Sequence, residues 1–407
     1  MRFDLHLRST VREQFQSVAQ EMRDWQTQAQ VGDEEAELIR QNILFFNHTT
    51  SRQDLRVAGV DGSGDFPMLS YSDSFIYLSV AQGTVYEATT PQVGLREVSP
   101  VPEPVLECHW IPEDDVRGVE AINRAFEQLA KTPISEVIKR SDYQQLKYQA
   151  TRKKYSAEEL VAGLIRPHAS DTSNLAIQLR STAEMAAALQ LIEGTHRPNY
   201  ILADTTFSLP FVASKANSLF YEHLKRLCCV EARKRETGFF ALSKSHGLAT
   251  TELVEKLACE LQGLASGQTA EHWCLRIPDA KRDEWSLSLV KGRNVPPLGA
   301  VSYLVRFHRT TPLMRLDMDS EYWQKFVLGK TEEETRSQEQ QIFENLDYTC
   351  HDQRVYGYPY PIKAAHDRAS LTESERVAFR KQLISAAVAE GMSPALFRDP
   401  STATGHR

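Results

Sequence analysis

The sequence predicts an α/β protein: a mixed β-sheet flanked by helices, with further helices at both ends. Three observations carry that expectation. Apolar runs of strand length cluster between residues 55 and 86. Beyond that cluster, single strands alternate with helical stretches, the pattern of a sheet covered by helices. The two ends repeat apolar residues at helical spacing and are otherwise polar. The chain has 407 residues, 41% of them hydrophobic, which suits one large domain with additions. The expected division is a helical segment over 1–50, a main domain over 51–370, and a closing helix with a disordered polar tail over 371–407.

The elements come in this order. Phe15, Val18, Met22 and Trp25 recur at helical spacing in residues 11–46, and Gly32-Asp33 divides that stretch into two helices. The run from Leu55 to Val60 is a short buried strand that stops at Asp61-Gly62-Ser63. Residues 74–80 and 83–86 read as a hairpin turned at Ala81-Gln82-Gly83. A proline-rich stretch over 100–112 separates this sheet edge from the next helix. That helix spans residues 115–131, with Val119, Ile122, Phe126 and Leu129 on one face. Residues 141–156 interleave Lys147, Arg152, Lys153 and Lys154 with Tyr143, Tyr148 and Tyr155. That mixture suits either a solvated helix face or a track for single-stranded nucleic acid. A helix over 181–192 ends at Gly194 and Pro198, and a strand runs from Tyr200 to Ala203. A helix over 213–235, a strand over 239–242, a helix over 250–261 and a strand over 300–308 come next. Helices over 322–328 and 331–346 precede Tyr358-Pro359. The last helix opens on a capping box, Thr372 with Glu375, and stops at Gly391.

Composition excludes several classes. The net charge is −7, so the body is not a general DNA-coating surface, and any nucleic-acid contact must be a local basic channel. No apolar run approaches a membrane span and the N-terminus is no signal peptide. Six cysteines include no C-x-x-C pair, which argues against a structural zinc site and for a reducing, cytoplasmic setting.

Candidate chemistry sits at strand ends. Asp61 and Asp204 each follow an apolar strand, which aims the carboxylates at the rim where open α/β sheets bind ligands. If those strands are neighbours, the like charges converge and favour a divalent cation with oxygen ligands. Either Asp can instead be an ordinary turn residue or helix cap. Glu184, on the helix before the Asp204 strand, is a third carboxylate, with Arg180 one turn earlier to pair with it or to hold a phosphate. Glu193 and Glu120 compete for that role. Lys244 lies just past the 239–242 strand, placed to neutralise a phosphate. His366 can ligate metal or carry a proton.

In this order the residues resemble the NurA nuclease family. The resemblance runs over residues 57–369: a strand ending in Asp61-Gly62-Ser63, Arg180 and Glu184 on a helix, Asp204 at the next strand end, Ser243-Lys244, and Tyr358-Pro359 through Ala365-His366. The family usually reads Asp-Gly-Ser-Leu at the second Asp. This chain reads Asp204-Thr205-Thr206 and has Ile362 where the family has Leu. The resemblance implies an RNase H-like fold, a homodimer, manganese-dependent DNA cleavage and a HerA-type hexameric ATPase as partner. The expected mechanism is two-metal phosphodiester hydrolysis with Mn²⁺ or Mg²⁺. Asp61, Glu184, Asp204 and His366 are the ligands, and Arg180, Lys244 and Tyr358 contact DNA. The expected setting is DNA end processing or defence against phage. Three rivals stay open: a non-catalytic subunit that docks the ATPase, an RNA-directed or structure-specific nuclease, and a function unrelated to nucleic acid. The partner surface is expected on the N-terminal helices or at residues 376–387.

Overall fold

The structure is a computed structural model and describes residues 9–28, 32–64, 66–89, 94–114, 116–139, 172–207, 219–244, 251–265, 267–277 and 300–400. The basic, tyrosine-rich stretch 141–156 and the tail after Pro400 lie outside these residues. The described strands are β1 (Ile43–Phe45), β2 (Arg56–Ser63), β3 (Leu69–Tyr71), β4 (Ser74–Ala88), β5 (Leu95–Glu97), β6 (Val105–Pro112), β7 (Tyr200–Ala203), β8 (Gly238–Ser243), β9 (Trp273–Arg276), β10 (Ala300–Arg306), β11 (Met314–Asp319), β12 (His351–Asp352), β13 (Val355–Tyr356) and β14 (Phe397–Arg398). The helices are α1 (Ser9–Gln28), α2 (Asp33–Asn42), α3 (Arg117–Ala130), α4 (Ile134–Lys139), α5 (Thr172–Glu193), α6 (Leu219–Lys234), α7 (Thr251–Gln262), α8 (Ser320–Phe326), α9 (Glu332–Thr349), α10 (Tyr360–Ala369) and α11 (Glu373–Ala389).

One mixed sheet runs through the molecule. Its middle is β6-β4-β2-β7-β8, antiparallel through β6, β4 and β2 and parallel through β2, β7 and β8. This is the RNase H-like mixed core that the family resemblance implies. Antiparallel β11, β10, β9 and β1 extend it beyond β8, and β3 and β14 extend the other edge.

Side-chain alternation in the three parallel strands builds two cores. Ala58, Val60, Ile201, Ala203, Phe239 and Ala241 face α3, α5 and α6. Val57, Tyr200, Leu202, Phe240 and Leu242 face α8, α9 and α10. Both faces are covered, which explains why β7 reads as an unbroken apolar run. Small residues on the first face let α5, rich in Ala183, Ala186, Ala187 and Ala188, come close to the sheet.

The structure corrects two of the sequence expectations. No hairpin turns at residues 81–83: β4 is continuous from Ser74 to Ala88. Its first half pairs with β6 and its second with β2, so both ends gain ladder partners without a turn. Gly83 answers to packing, since a Cβ there would stand 2.7 Å from Leu191 Cδ1 of α5. The proline-rich stretch does not interrupt the sheet either. Val105–Pro112 forms β6, with prolines only at its boundary, where no ladder bond is lost. The capping box at Thr372 and Glu375 forms as expected. Strands β9 and β11 lie outside the sequence expectations. Among the described residues, no helix is long and apolar enough to cross a membrane.

Candidate active site

Asp61 and Asp204 leave adjacent parallel strands one residue beyond the paired Val60 and Ala203. By alternation, both lie on the face that carries α10. That helix sits unusually close to β2: a Cβ on Gly59 would stand 2.3 Å from the backbone nitrogen of Ile362. The Thr84 hydroxyl donates to the Pro361 carbonyl at 2.8 Å and pins the same turn. One turn further, His366 Nδ1 lies 2.7 Å from Asp61 Oδ2. Asp61 Oδ1 accepts the Gly62 amide at 2.8 Å, which fixes the carboxylate plane. The far ring nitrogen, His366 Nε2, is 3.5 Å from the Ser370 hydroxyl.

Glu184 reaches the same rim from the opposite face, on α5. A Cβ on Gly62 would meet Glu184 Oε1 at 2.9 Å, so the missing side chain is what admits this carboxylate. The glycine after Asp61 thus serves close approach, because its φ is not in the left-handed region. Arg180 Nε lies 3.3 Å from Glu184 Oε1, the i,i+4 pairing expected on one helix face.

Asp204 remains open to solvent, yet protein crowds its carboxylate. Burial raises its pKa above the ordinary carboxylate range. Lys244 opposes that shift, Asp61 adds to it, and Arg180 and His366 oppose it more weakly. Lys244 therefore belongs to the site: its ammonium also lies 4.3 Å from the centre of the Tyr358 ring. Tyr358 is buried, and burial followed by the charges of Asp204 and Asp61 holds its hydroxyl well above the usual phenol range. The hydroxyl lies near Asp204 but outside ordinary hydrogen-bond geometry, and has no partner among the described residues.

The turn after Asp204 is anchored by partners that the sequence does not reveal. The Thr205 and Tyr221 hydroxyls hydrogen-bond to each other. The Phe207 amide donates to Asp317 Oδ2 at 2.9 Å, and Arg315 Nε holds Asp317 Oδ1 at 2.8 Å.

The sequence candidates Asp61, Arg180, Glu184, Asp204, Lys244, Tyr358 and His366 thus lie around one sheet rim. They do not form a closed ligand shell. Among the described residues, the one group whose ligand atoms all lie within 4.8 Å of one another is a different one: His48, His272, Asp347 and His351. Glu120 is on α3 and Glu193 at the end of α5, nine residues past Glu184. A cleft of about 570 Å³ opens at the other end of β2 and β7, beside Asp54, Arg56, Glu87 and Asn199. It is distant from the carboxylates in strand register, and the carboxylate rim is the better site on chemical grounds.

No family model matches the chain, and no curated protein matches it in sequence. Similar solved structures include the NurA nuclease from Sulfolobus solfataricus, at 11% identity and a TM-score of 0.46, over 95% of this chain and 99% of that one. A NurA structure bound to dAMP and manganese is 13% identical, with a TM-score of 0.37, over 96% and 100%. An endonuclease V from Bacillus subtilis is 10% identical, with a TM-score of 0.30, over 86% and 92%.

Proposed function

We propose that this chain is a divalent-metal-dependent deoxyribonuclease that hydrolyses phosphodiester bonds. One observation carries the reading: Asp61, Asp204 and His366, far apart in sequence, meet at one rim together with Glu184, Lys244 and the buried Tyr358 hydroxyl.

The donor set fits manganese or magnesium. Three carboxylates and one imidazole are hard ligands of the type these cations take. Asp204 is crowded by protein and repelled by Asp61, so the pair gains from added positive charge. Two such ions, held by Asp61, Glu184, Asp204 and His366, would supply Lewis-acid activation of water and charge neutralisation at the leaving oxygen. The chain's own groups do the rest. Asp61 fixes the His366 ring through Nδ1, leaving Nε2 either to join the ligands or to carry a proton. Lys244 balances charge on the scissile phosphate, and the Tyr358 hydroxyl donates to a phosphate oxygen. Arg180 pairs with Glu184 and would turn to a DNA phosphate, which frees that carboxylate for metal.

By the same reading the chain works as a cytoplasmic homodimer with a HerA-type hexameric ATPase that feeds it DNA, in end processing or phage defence. A second reading, a non-catalytic subunit that docks that ATPase, is favoured by one observation. The four proposed ligands are gathered more loosely than the His48 group.

The test is cleavage of matched linear DNA and RNA by purified protein with Mn²⁺, alone and with the ATPase. Asp61→Ala is expected to abolish DNA cleavage. Undiminished cutting by that variant refutes the site. No cutting under any condition, with the ATPase complex intact, supports the second reading. Preference for RNA would move the substrate but keep the site.

A further inference from the structure

We infer that His48, His272, Asp347 and His351 form a structural zinc site, separate from the carboxylate rim and independent of the nuclease reading. The cysteine pattern argues against structural zinc, but this site uses no cysteine.

The four ligands come from three parts of the chain. His48 follows β1, His272 immediately precedes β9, and Asp347 and His351 stand four apart at the end of α9. One ligand atom from each lies within 4.8 Å of every other. The Asp347 carboxylate is fully buried at the centre. His48 Nδ1 is 2.8 Å from its Oδ2 and His272 Nδ1 is 3.1 Å from its Oδ1. His351 Nδ1 is 3.4 Å from Oδ1 and 2.9 Å from the Asp347 carbonyl. The ring centres of the three imidazoles stand 4.1 to 5.4 Å apart.

A buried carboxylate needs hydrogen-bond donors, and one or two would satisfy it. His48 and His272 already supply one contact to each oxygen, and His351 Nδ1 is nearer the Asp347 carbonyl than the carboxylate, so hydrogen bonding to the carboxylate alone does not account for the third ring in the cluster. The backbone adds a second argument. His272 has a φ of 57°, a left-handed conformation that costs about 1 kcal/mol or more and persists where the surroundings demand it. It turns this ring toward Asp347 at the entrance to β9. Three neutral imidazoles and one carboxylate make a four-ligand set of nitrogen and oxygen, which suits tetrahedral zinc, and four protein ligands leave no open position. The hard-oxygen rim around Asp61 has a different preference, so the two sites select different metals.

The site would brace a defined part of the fold. It ties the β1 edge and β9 to the end of α9. His351 also begins the β12–β13 hairpin, which leads directly to Tyr358 and α10. Zinc here would hold the base of the segment that delivers Tyr358 and His366 to the rim.

The test uses the full chain, purified without chelator or added metal. Elemental analysis is expected to find about one zinc per chain. Chelation should lower the melting temperature, and Zn²⁺ should restore it where Mg²⁺ and Mn²⁺ do not. Substituted Co²⁺ should give the visible bands of a tetrahedral ion. His48→Gln, on the most accessible ligand, should fold yet bind zinc more weakly by at least the roughly 10- to 100-fold that loss of an outer-shell partner costs. His272→Ala provides a second variant, and Asp61→Ala should keep its zinc. The proposal is overturned if the wild-type protein holds no stoichiometric zinc and Zn²⁺ does not raise its melting temperature. It is equally overturned if zinc is lost from Asp61→Ala but kept by both histidine variants.

Discussion

Replacing Gly59 by alanine should damage the rim without touching any proposed ligand. Gly59 lies in β2 two residues before Asp61, on the same face. A Cβ would stand 2.3 Å from the Ile362 nitrogen, 2.3 Å from the Pro361 carbonyl carbon and 2.4 Å from its oxygen. All are backbone atoms of the first turn of α10, so no side chain can swing aside. Ordinary contact begins at 3.4 Å, so α10 must retreat by about 1 Å. Overpacking of this size costs roughly 1–3 kcal/mol. The same retreat stretches the 2.7 Å contact between His366 and Asp61 beyond hydrogen-bond reach. A catalytic group misplaced by about 1 Å costs on the order of 10²-fold in rate. The assay is Mn²⁺-dependent cleavage of linear duplex, with thermal melting in parallel. Gly32→Ala is the control, because its Cβ meets nothing within 4 Å and its φ of −67° suits any residue. Gly59→Ala protein that melts and cuts like its parent would refute the claim that this glycine sets the approach of α10.

Two further substitutions separate stability from activity. Asp204→Asn is expected to abolish cleavage and raise the melting temperature at neutral pH. Burial raises the Asp204 pKa, so its contribution to stability is fully present below the ordinary value of 3.8 and is lost as pH rises through the raised folded value. The gain from Asp204→Asn should therefore vanish under acid, and melting curves across pH check the sign. Tyr358→Phe keeps the ring under Lys244 and removes a buried hydroxyl that has no partner among the described residues. It should leave the melting temperature unchanged or higher, while kcat falls on the order of 10²-fold. Unchanged kcat would remove Tyr358 from the phosphate contacts.

The legible part of the fold is the part with strong periodicity. The strands Tyr200–Ala203 and Gly238–Ser243 and the helix Arg117–Ala130 lie where apolar spacing puts them. Gly83 misleads because a glycine in an apolar run signals both a turn and a close approach, and only the position of Leu191 decides between them. The strand Met314–Asp319 is hidden by charge. Its Arg315, Asp317 and Asp319 are buried and joined to ion-pair partners that no local pattern reveals. At the rim, strand-end position locates Asp61 and Asp204, but the role of Gly62 in admitting Glu184 needs the opposite helix. The four-residue spacing of Asp347 and His351 is a readable metal-ligand signal. Its partners His48 and His272 lie too far away in sequence to complete it.

The turn after Asp204 is the weak joint of the nuclease reading in sequence, because two threonines stand where the family it resembles has glycine and serine. Its backbone shows why the difference is tolerable. Neither Thr205 nor Thr206 has a positive φ, so the turn does not require glycine. Its position is set by buried partners instead. Thr205 bonds to Tyr221, and the Phe207 amide bonds to Asp317, itself held by Arg315. The Thr205 amide returns to the Ala203 carbonyl at 2.9 Å, which closes the turn around Asp204. Both flanks of Asp204 are thus held by hydrogen bonds rather than by a glycine conformation. Threonine at this turn is therefore no argument for a lost active site. The discriminating feature lies elsewhere, in whether a cation can close the distance between Asp61, Glu184 and Asp204. Arg180 is the residue that opposes this, since it already neutralises Glu184, and binding of DNA phosphate to Arg180 would release that carboxylate for metal.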